Sequence, residues 1–232
     1  MKTKLLFAAA ALAGLPVHIV PAGTALAQAQ RDWTQVVSRT PEGGFRMGNP
    51  NAPVKLVEYL SLTCSHCAHF AHEGTPRLIQ NYVRSGRVSL EYRNFVLNAY
   101  DLAASFLSRC AAPQDYFALN HAILGGQEQW MGRIEGFTAE QRQQLQSLQP
   151  IQGMQRIVAW TGLDAIGARH GISAEEARAC LGNQSQLDRV LQMREAGDTA
   201  GVQGTPSFAI NGRLAPNVHD WASLEPLLRA GQ

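Results

Sequence analysis

V54-K-L-V-E-Y-L-S-L-T63-C64-S-H-C67-A-H-F-A-H72 is the stretch on which the fold of this chain depends. Its first part alternates. Val54, Leu56, Glu58 and Leu60 fall on one face and Lys55, Val57, Tyr59 and Ser61 on the other, the period of a β-strand over 54–61. Thr63 has the chemistry of an N-cap and no Pro or Gly interrupts the run to His72, so the pattern predicts a helix from near Cys64. Two thiols then sit at the mouth of a strand-to-helix turn.

Cysteines three apart in a first helical turn have Cβ atoms about 5–6 Å apart, so a small adjustment joins them as a disulfide. The helix N-terminus offers unpaired N–H groups and partial positive charge, both of which favour a thiolate at Cys64. Cys64 is therefore the candidate nucleophile and Cys67, a turn deeper, the resolving thiol. Ser65 and His66 lie between them, and the imidazole is placed to donate to the sulfur. Glu58 is the odd member of an apolar strand face. Buried beneath the pair, it would take or relay the proton that Cys67 must lose; on an edge strand it would simply face water.

These residues carry a resemblance. C-S-H-C after V-E-Y-L-S-L-T, with G-V-Q-G-T-P-S-F-A-I-N-G at 201–212, resembles the DsbA-like branch of the thioredoxin superfamily, the extracytoplasmic thiol:disulfide oxidoreductases. The likeness runs from about Gly48 to the C-terminus, specific at its two ends and matched between them by length and helical pattern. Family members most often have Pro-His between the cysteines, where this chain has Ser65-His66. The resemblance implies an α/β thioredoxin fold, a redox-active Cys64–Cys67 disulfide in place of any bound cofactor, and a cis-Pro loop that faces the disulfide and hydrogen-bonds the substrate backbone. Thr205 and Pro206 match that loop.

Residues 1–27 read as a secretory signal: Lys2 and Lys4, an apolar run from Leu5 to Leu15, then the small-x-small site Ala25-Leu26-Ala27. Ala27-Gln28-Ala29 competes with it. Pro16 and Pro21 argue against a membrane-spanning helix, and no cysteine stands near either site to take a lipid. Cleavage removes two of the 20 Lys and Arg, leaving parity with the 18 Asp and Glu. A neutral mature chain is no footprint for nucleic acid or an anionic membrane. With 45% hydrophobic and 16% charged residues the exported part is globular, and periplasmic residence is expected.

Trp33–Ser38 reads as a short strand, 39–53 as a loop with Gly43, Gly44, Gly48, Pro50 and Pro53, and Val88, Leu90 and Tyr92 as a second core strand after a helix kinked at Pro76. From 99 to 199 helical patterns take over, with capping boxes at Thr138/Gln141 and Ser173/Glu176. The chain returns to β at Ser207–Ile210, turns at Asn211-Gly212 and closes with a helix over Trp221–Ala230. The organisation expected is a thioredoxin-like domain from 28–98 and 200–232, carrying an inserted all-helical domain at 99–199.

All four cysteines lie in the exported part, and four cysteines allow three connectivities. Cys110 and Cys180 fall on apolar sides of predicted helices, away from the C-x-x-C pair. They are either buried free thiols or, as export favours, a structural bridge.

Cys64, His66, Cys67, His69 and His72 also suit Cu(I) or Zn(II), which makes an exported metal-binding protein one alternative. Haem attachment is excluded because Ala68 stands where the histidine would. Another alternative is an inert module stapled by two bridges, against which the activated environment of Cys64 argues. Within the redox reading, Thr205 resembles the isomerase group, but isomerases resembling DsbC or DsbG carry an N-terminal dimerisation region for which there is no room before Val54. The expectation is a monomeric dithiol oxidase acting on reduced exported proteins and re-oxidised by a DsbB-like membrane quinone reductase, with reductase or isomerase work as the alternative and no dedicated metal.

Overall fold

A computed structural model describes residues 31–231; the expected signal segment at 1–27 lies outside them. The strands are β1 (Val37–Arg39), β2 (Phe45–Met47), β3 (Val54–Leu60), β4 (Val88–Asn94), β5 (Ser207–Ile210) and β6 (Arg213–Leu214). Among the described residues they form one sheet in the order β1-β2-β4-β3-β5-β6. β3 and β4 are parallel, from Val54 opposite Val88 to Leu60 opposite Asn94, and every other pair is antiparallel. A parallel pair needs a crossover. It is supplied by α1 (Ser65–Leu78), which contains Pro76 and runs on into a π-helical turn at Ile79–Val83.

β3 lies between β4 and β5 and is buried except at Lys55 and Val57, with Val54, Leu56, Glu58, Tyr59 and Leu60 all under 6% exposed. The alternating face seen in the sequence packs under α1: Leu56, Leu60, Phe70, Leu78 and Phe208 share one core, and the Phe70 and Phe208 rings stand 4.8 Å apart. At the far edge, Asn211 (φ 50°) and Gly212 (φ 82°) adopt the two positive φ values of a type I′ hairpin. Asn211 also accepts from the Lys55 N–H at 2.8 Å, which fastens the hairpin to the start of β3.

Two local readings of the sequence are corrected. Trp33–Gln35 is a 3-10 turn rather than strand, because Asp32 caps it by accepting from the Thr34 N–H and hydroxyl; the strand begins only at Val37. The supposed loop at 39–53 contains β2. Its glycines serve close packing: a Cβ on Gly44 would lie 2.5 Å from Glu91 Oε1 and 2.7 Å from the Tyr92 carbonyl oxygen.

Between β4 and β5 lie α2 (Ala99–Ser108), α3 (Tyr116–Gly125), α4 (Gln127–Glu135), α5 (Ala139–Ser147), α6 (Pro150–Thr161), α7 (Leu163–Arg169), α8 (Ala174–Leu181) and α9 (Gln184–Thr199). Both predicted capping boxes are present. The helices bury Phe106, Leu107, Tyr116, Phe117, Ile157 and Leu187 in the same core as the sheet residues. Phe45 of β2 stacks on Tyr116 with ring centroids 3.8 Å apart. Cys110, just past α2, is joined to Cys180 of α8. The chain ends with α10 (Trp221–Ala230). This is a thioredoxin-like fold with a helical insertion.

Candidate active site

Cys64 is itself the N-cap of α1, with extended backbone (φ −85°, ψ 121°). Thr63, expected there, lies one residue too early. Its N–H is taken by Ser61 Oγ at 3.1 Å and its hydroxyl by Asn98 Nδ2 at 3.1 Å, so the chain stays a turn for one more residue. The consequence is chemical. An N-cap side chain faces the N–H groups of the second and third helical residues, here His66 and Cys67.

The Cys64 sulfur closes no cap hydrogen bond, but those N–H groups and the Cys67 thiol lie near enough to favour its anion. Cys64 is half-buried, which alone would raise its pKa, yet it is held down at about 5 from the ordinary value of 9.0, first by the Cys67 thiol hydrogen bond and then by the Thr205 side chain and the two backbone N–H groups. As a thiol, Cys64 donates to the Thr205 carbonyl oxygen at 3.1 Å, and Thr205 Oγ1 is buried without a partner. As a thiolate the sulfur cannot donate. The Thr205 hydroxyl then has an acceptor and the anion a donor.

Among the described residues, the hydrogen bond expected from the His66 imidazole to the Cys64 sulfur is not formed. The residue is exposed on the second position of α1, and among the described residues its side chain makes no hydrogen bond or ion pair. Its backbone N–H favours the Cys64 anion, less than the Cys67 thiol, the Thr205 side chain and the Cys67 N–H do. Ser65 is exposed beside it. His69 pairs with Glu73 across 3.4 Å on the outer face of α1, and His72 is exposed. Among the described residues, no group of three or more His, Cys, Asp or Glu side chains is arranged to hold a metal.

Cys67 is fully buried, and burial pushes its thiol well above 9.0, with the Cys64 hydrogen bond and the charge of Glu58 adding to the rise. The pair is thus split: one sulfur ionised at neutral pH, the other protonated. Glu58 is 2% exposed, Oε2 has no partner, and burial with the nearby Cys64 charge pushes its carboxyl up to about 8. It is not an edge-strand charge facing water. A carboxyl with that pKa beneath a thiol that must lose a proton is suited to general-base work near neutrality.

Thr205-Pro206 is a cis peptide bond. The loop it forms leads into β5, whose Ser207 and Phe208 pair with Tyr59 and Glu58, so the strand register brings the loop to the end of β3 where Cys64 emerges.

Two further side chains position the turn and carry no signal that sequence reasoning used. Gln127, at the start of α4 and 8% exposed, donates from Nε2 to the carbonyl oxygens of Leu62 (2.9 Å) and Cys64 (3.1 Å). Asp101, fully buried in α2, accepts from the Leu62 N–H at 2.8 Å, the Leu97 N–H at 2.9 Å and the Ser105 hydroxyl at 3.1 Å. Asp101 stands three residues after Asn98, which caps α2, a spacing that resembles a capping box; its carboxylate reaches out to the Cys64 turn instead. Gln127 follows Gly125-Gly126 with nothing to mark it. The helical insertion thus grips the active-site turn from two sides.

The arrangement is that of a dithiol–disulfide exchange centre, and comparison with known proteins agrees. The family model described as thioredoxin matches residues 40–230. Curated relatives include a "Putative protein-disulfide oxidoreductase" of Rickettsia bellii, 28% identical over 79% of this chain and 62% of its own length. A second, from Rickettsia conorii, is 28% identical over 77% of this chain and 57% of its own length. The chain therefore spans about three-fifths of these relatives. Among solved structures, a protein-disulfide isomerase from Novosphingobium aromaticivorans is 33% identical, with a TM-score of 0.75 over 80% of this chain and 95% of that one. Wolbachia pipientis α-DsbA1, 22% identical, shares the fold, with a TM-score of 0.62 over 80% of this chain and 88% of that one. With its C-x-x-C turn, cis-Pro loop and helical insertion, the chain belongs to the thioredoxin family and has the fold of its DsbA-like members.

Proposed function

We propose that the protein is an exported dithiol oxidase that introduces disulfides into reduced secreted proteins. The observation that carries this reading is the split pair: Cys64 held near pKa 5 beside a Cys67 held protonated. In the oxidised enzyme a substrate thiolate attacks Cys64 Sγ, which forms a mixed disulfide and expels Cys67. The substrate's second thiolate then attacks its own sulfur in that bond, the substrate leaves as a disulfide, and Cys64 leaves as a stabilised thiolate. Two electrons pass from substrate to the Cys64–Cys67 pair, and no other cofactor is required. A good leaving thiolate drives the exchange in that direction.

The reading places the protein in the periplasm, as a monomer, with a DsbB-like membrane quinone reductase to re-oxidise it. Among the described residues no helix is long and apolar enough to cross a membrane. The test is to mix the oxidised protein with a reduced, unfolded disulfide protein: stoichiometric substrate oxidation supports the reading, and faster reduction of insulin than substrate oxidation would replace it with a reductase.

A second reading, isomerase, is favoured by one observation, the 33% identity to the protein-disulfide isomerase of Novosphingobium aromaticivorans. Recovery of activity from a scrambled substrate by the reduced protein would favour it.

A further inference from the structure

His219 stands on the segment leading into α10, far in sequence from the thiols. Its Nδ1 lies 2.8 Å from the carbonyl oxygen of Pro206. A carbonyl oxygen only accepts, so Nδ1 carries the proton and donates. The backbone that presents the ring is anchored on both sides: Val218 is 6% exposed, Trp221 is 8% exposed, and Asp220 caps α10 by accepting from the Ser223 N–H at 2.8 Å. The ring therefore projects from a fixed base. The loop it reaches is glycine-rich, with Gly201 at φ 87° and Gly204 before Thr205, and besides the Cys64 contact it is tied by Ser207 Oγ donating to the Gly204 carbonyl at 2.7 Å.

From this geometry we infer that His219 is a positioning residue for the thiol chemistry: its Nδ1–H pins Pro206 and so fixes the Thr205 carbonyl and hydroxyl against Cys64 Sγ. The inference rests on the reading of Cys64 as the attacked and leaving sulfur. The Thr205 carbonyl, 3.1 Å from Sγ, belongs to the peptide unit that ends at Pro206, so a shift of one moves the other. His219 touches neither sulfur and is not a catalytic residue. Nor is it a pH switch. Asp220, whose carboxylate is held low in part by His219 and His69, is its charged neighbour, and protonating the ring adds a proton at Nε2 while leaving the Nδ1–H in place.

The test compares His219→Phe, which keeps a ring and loses the donor, with His219→Asn, whose Nδ2 occupies roughly the place of Nδ1. In His219→Phe the Cys64 pKa, read from thiolate absorbance, should rise, and exchange with a small disulfide should slow by about 3- to 10-fold, the worth of one hydrogen bond. His219→Asn should restore both. Thermal unfolding should be little changed, since the ring is exposed. Wild-type pKa and rate in His219→Phe, or equal impairment in both variants, would overturn the inference. Independently of any variant, nitrogen-15 shifts should show a proton on His219 Nδ1; an Nδ1 without a proton would overturn the inference too. A wild-type protein with an unactivated Cys64 would instead sink the functional reading, and the two failures are therefore distinct.

Discussion

Cys64 Sγ and the carbonyl oxygen of Thr205 lie 3.1 Å apart although 141 positions separate them in the chain. The whole helical insertion is spliced between the two. Because Thr205 also lowers the Cys64 pKa through its side chain, the acidity of the nucleophile is set jointly by the start of α1 and by a loop on the far side of the insertion.

Thr205→Val keeps the shape of the side chain and removes the hydroxyl. The thiolate loses one donor while keeping the Cys67 thiol and two backbone N–H groups. Cys64 should titrate about one pH unit higher. Absorbance at about 240 nm against pH measures it, and an unchanged midpoint would remove the hydroxyl from the account.

Glu58 makes the stability of the reduced protein fall as pH rises. Its folded pKa is raised from 4.5 to about 8, so between those values the folded state holds a proton that the unfolded state has lost. The penalty is absent below pH 4.5 and is fully developed at about pH 8, where it is worth on the order of 4 kcal/mol. Glu58→Gln should therefore be more stable than wild type at pH 8 and close to it at pH 4. Urea unfolding at the two pH values decides this; a gain of equal size at both would point to packing instead.

The same substitution should impair the chemistry. Without Glu58 the Cys67 thiolate expelled by a substrate thiol has lost the carboxyl that would protonate it, and formation of the mixed disulfide at Cys64 should slow by on the order of a hundredfold at neutral pH. Quenched-flow trapping of the mixed disulfide would show its slower appearance. An undiminished rate would mean that Cys67 takes its proton directly from water.

The Cys110–Cys180 bond closes a loop with a sequence separation of 70. Its loss should cost up to about 4 kcal/mol through the unfolded chain. The Cys110→Ala, Cys180→Ala double variant should unfold at lower urea and keep its exchange activity. Non-reducing peptide mapping should find these two residues joined to each other; a link from either to Cys64 or Cys67 would contradict the structure.

The parts of the molecule legible in the sequence are those fixed by local chemistry. Alternation exposed β3 and put Glu58 on its buried face, Asn211-Gly212 marked a hairpin, and two capping boxes marked α5 and α8. What escaped was set by tertiary contact or by a shift of one residue. Ser61 holding the Thr63 N–H moved the N-cap from Thr63 to Cys64. β2 is three residues long among glycines, too short for a period to show. Gln127 and His219 act on backbone carbonyls that only the folded chain brings within reach.

The reduction potential of the Cys64/Cys67 couple, measured by equilibration with glutathione, tests the central claim most directly. The Cys67 thiol, the Thr205 side chain and the N–H groups of the helix N-terminus stabilise the thiolate of the reduced form and do little for the neutral disulfide, so they make the protein an oxidant. Screening by water at a half-buried sulfur reduces the effect to a few tens of millivolts. The predicted potential lies above about −240 mV, a few tens of millivolts to the oxidising side of thioredoxin. A value near −270 mV, that of thioredoxin itself, would contradict the oxidase reading.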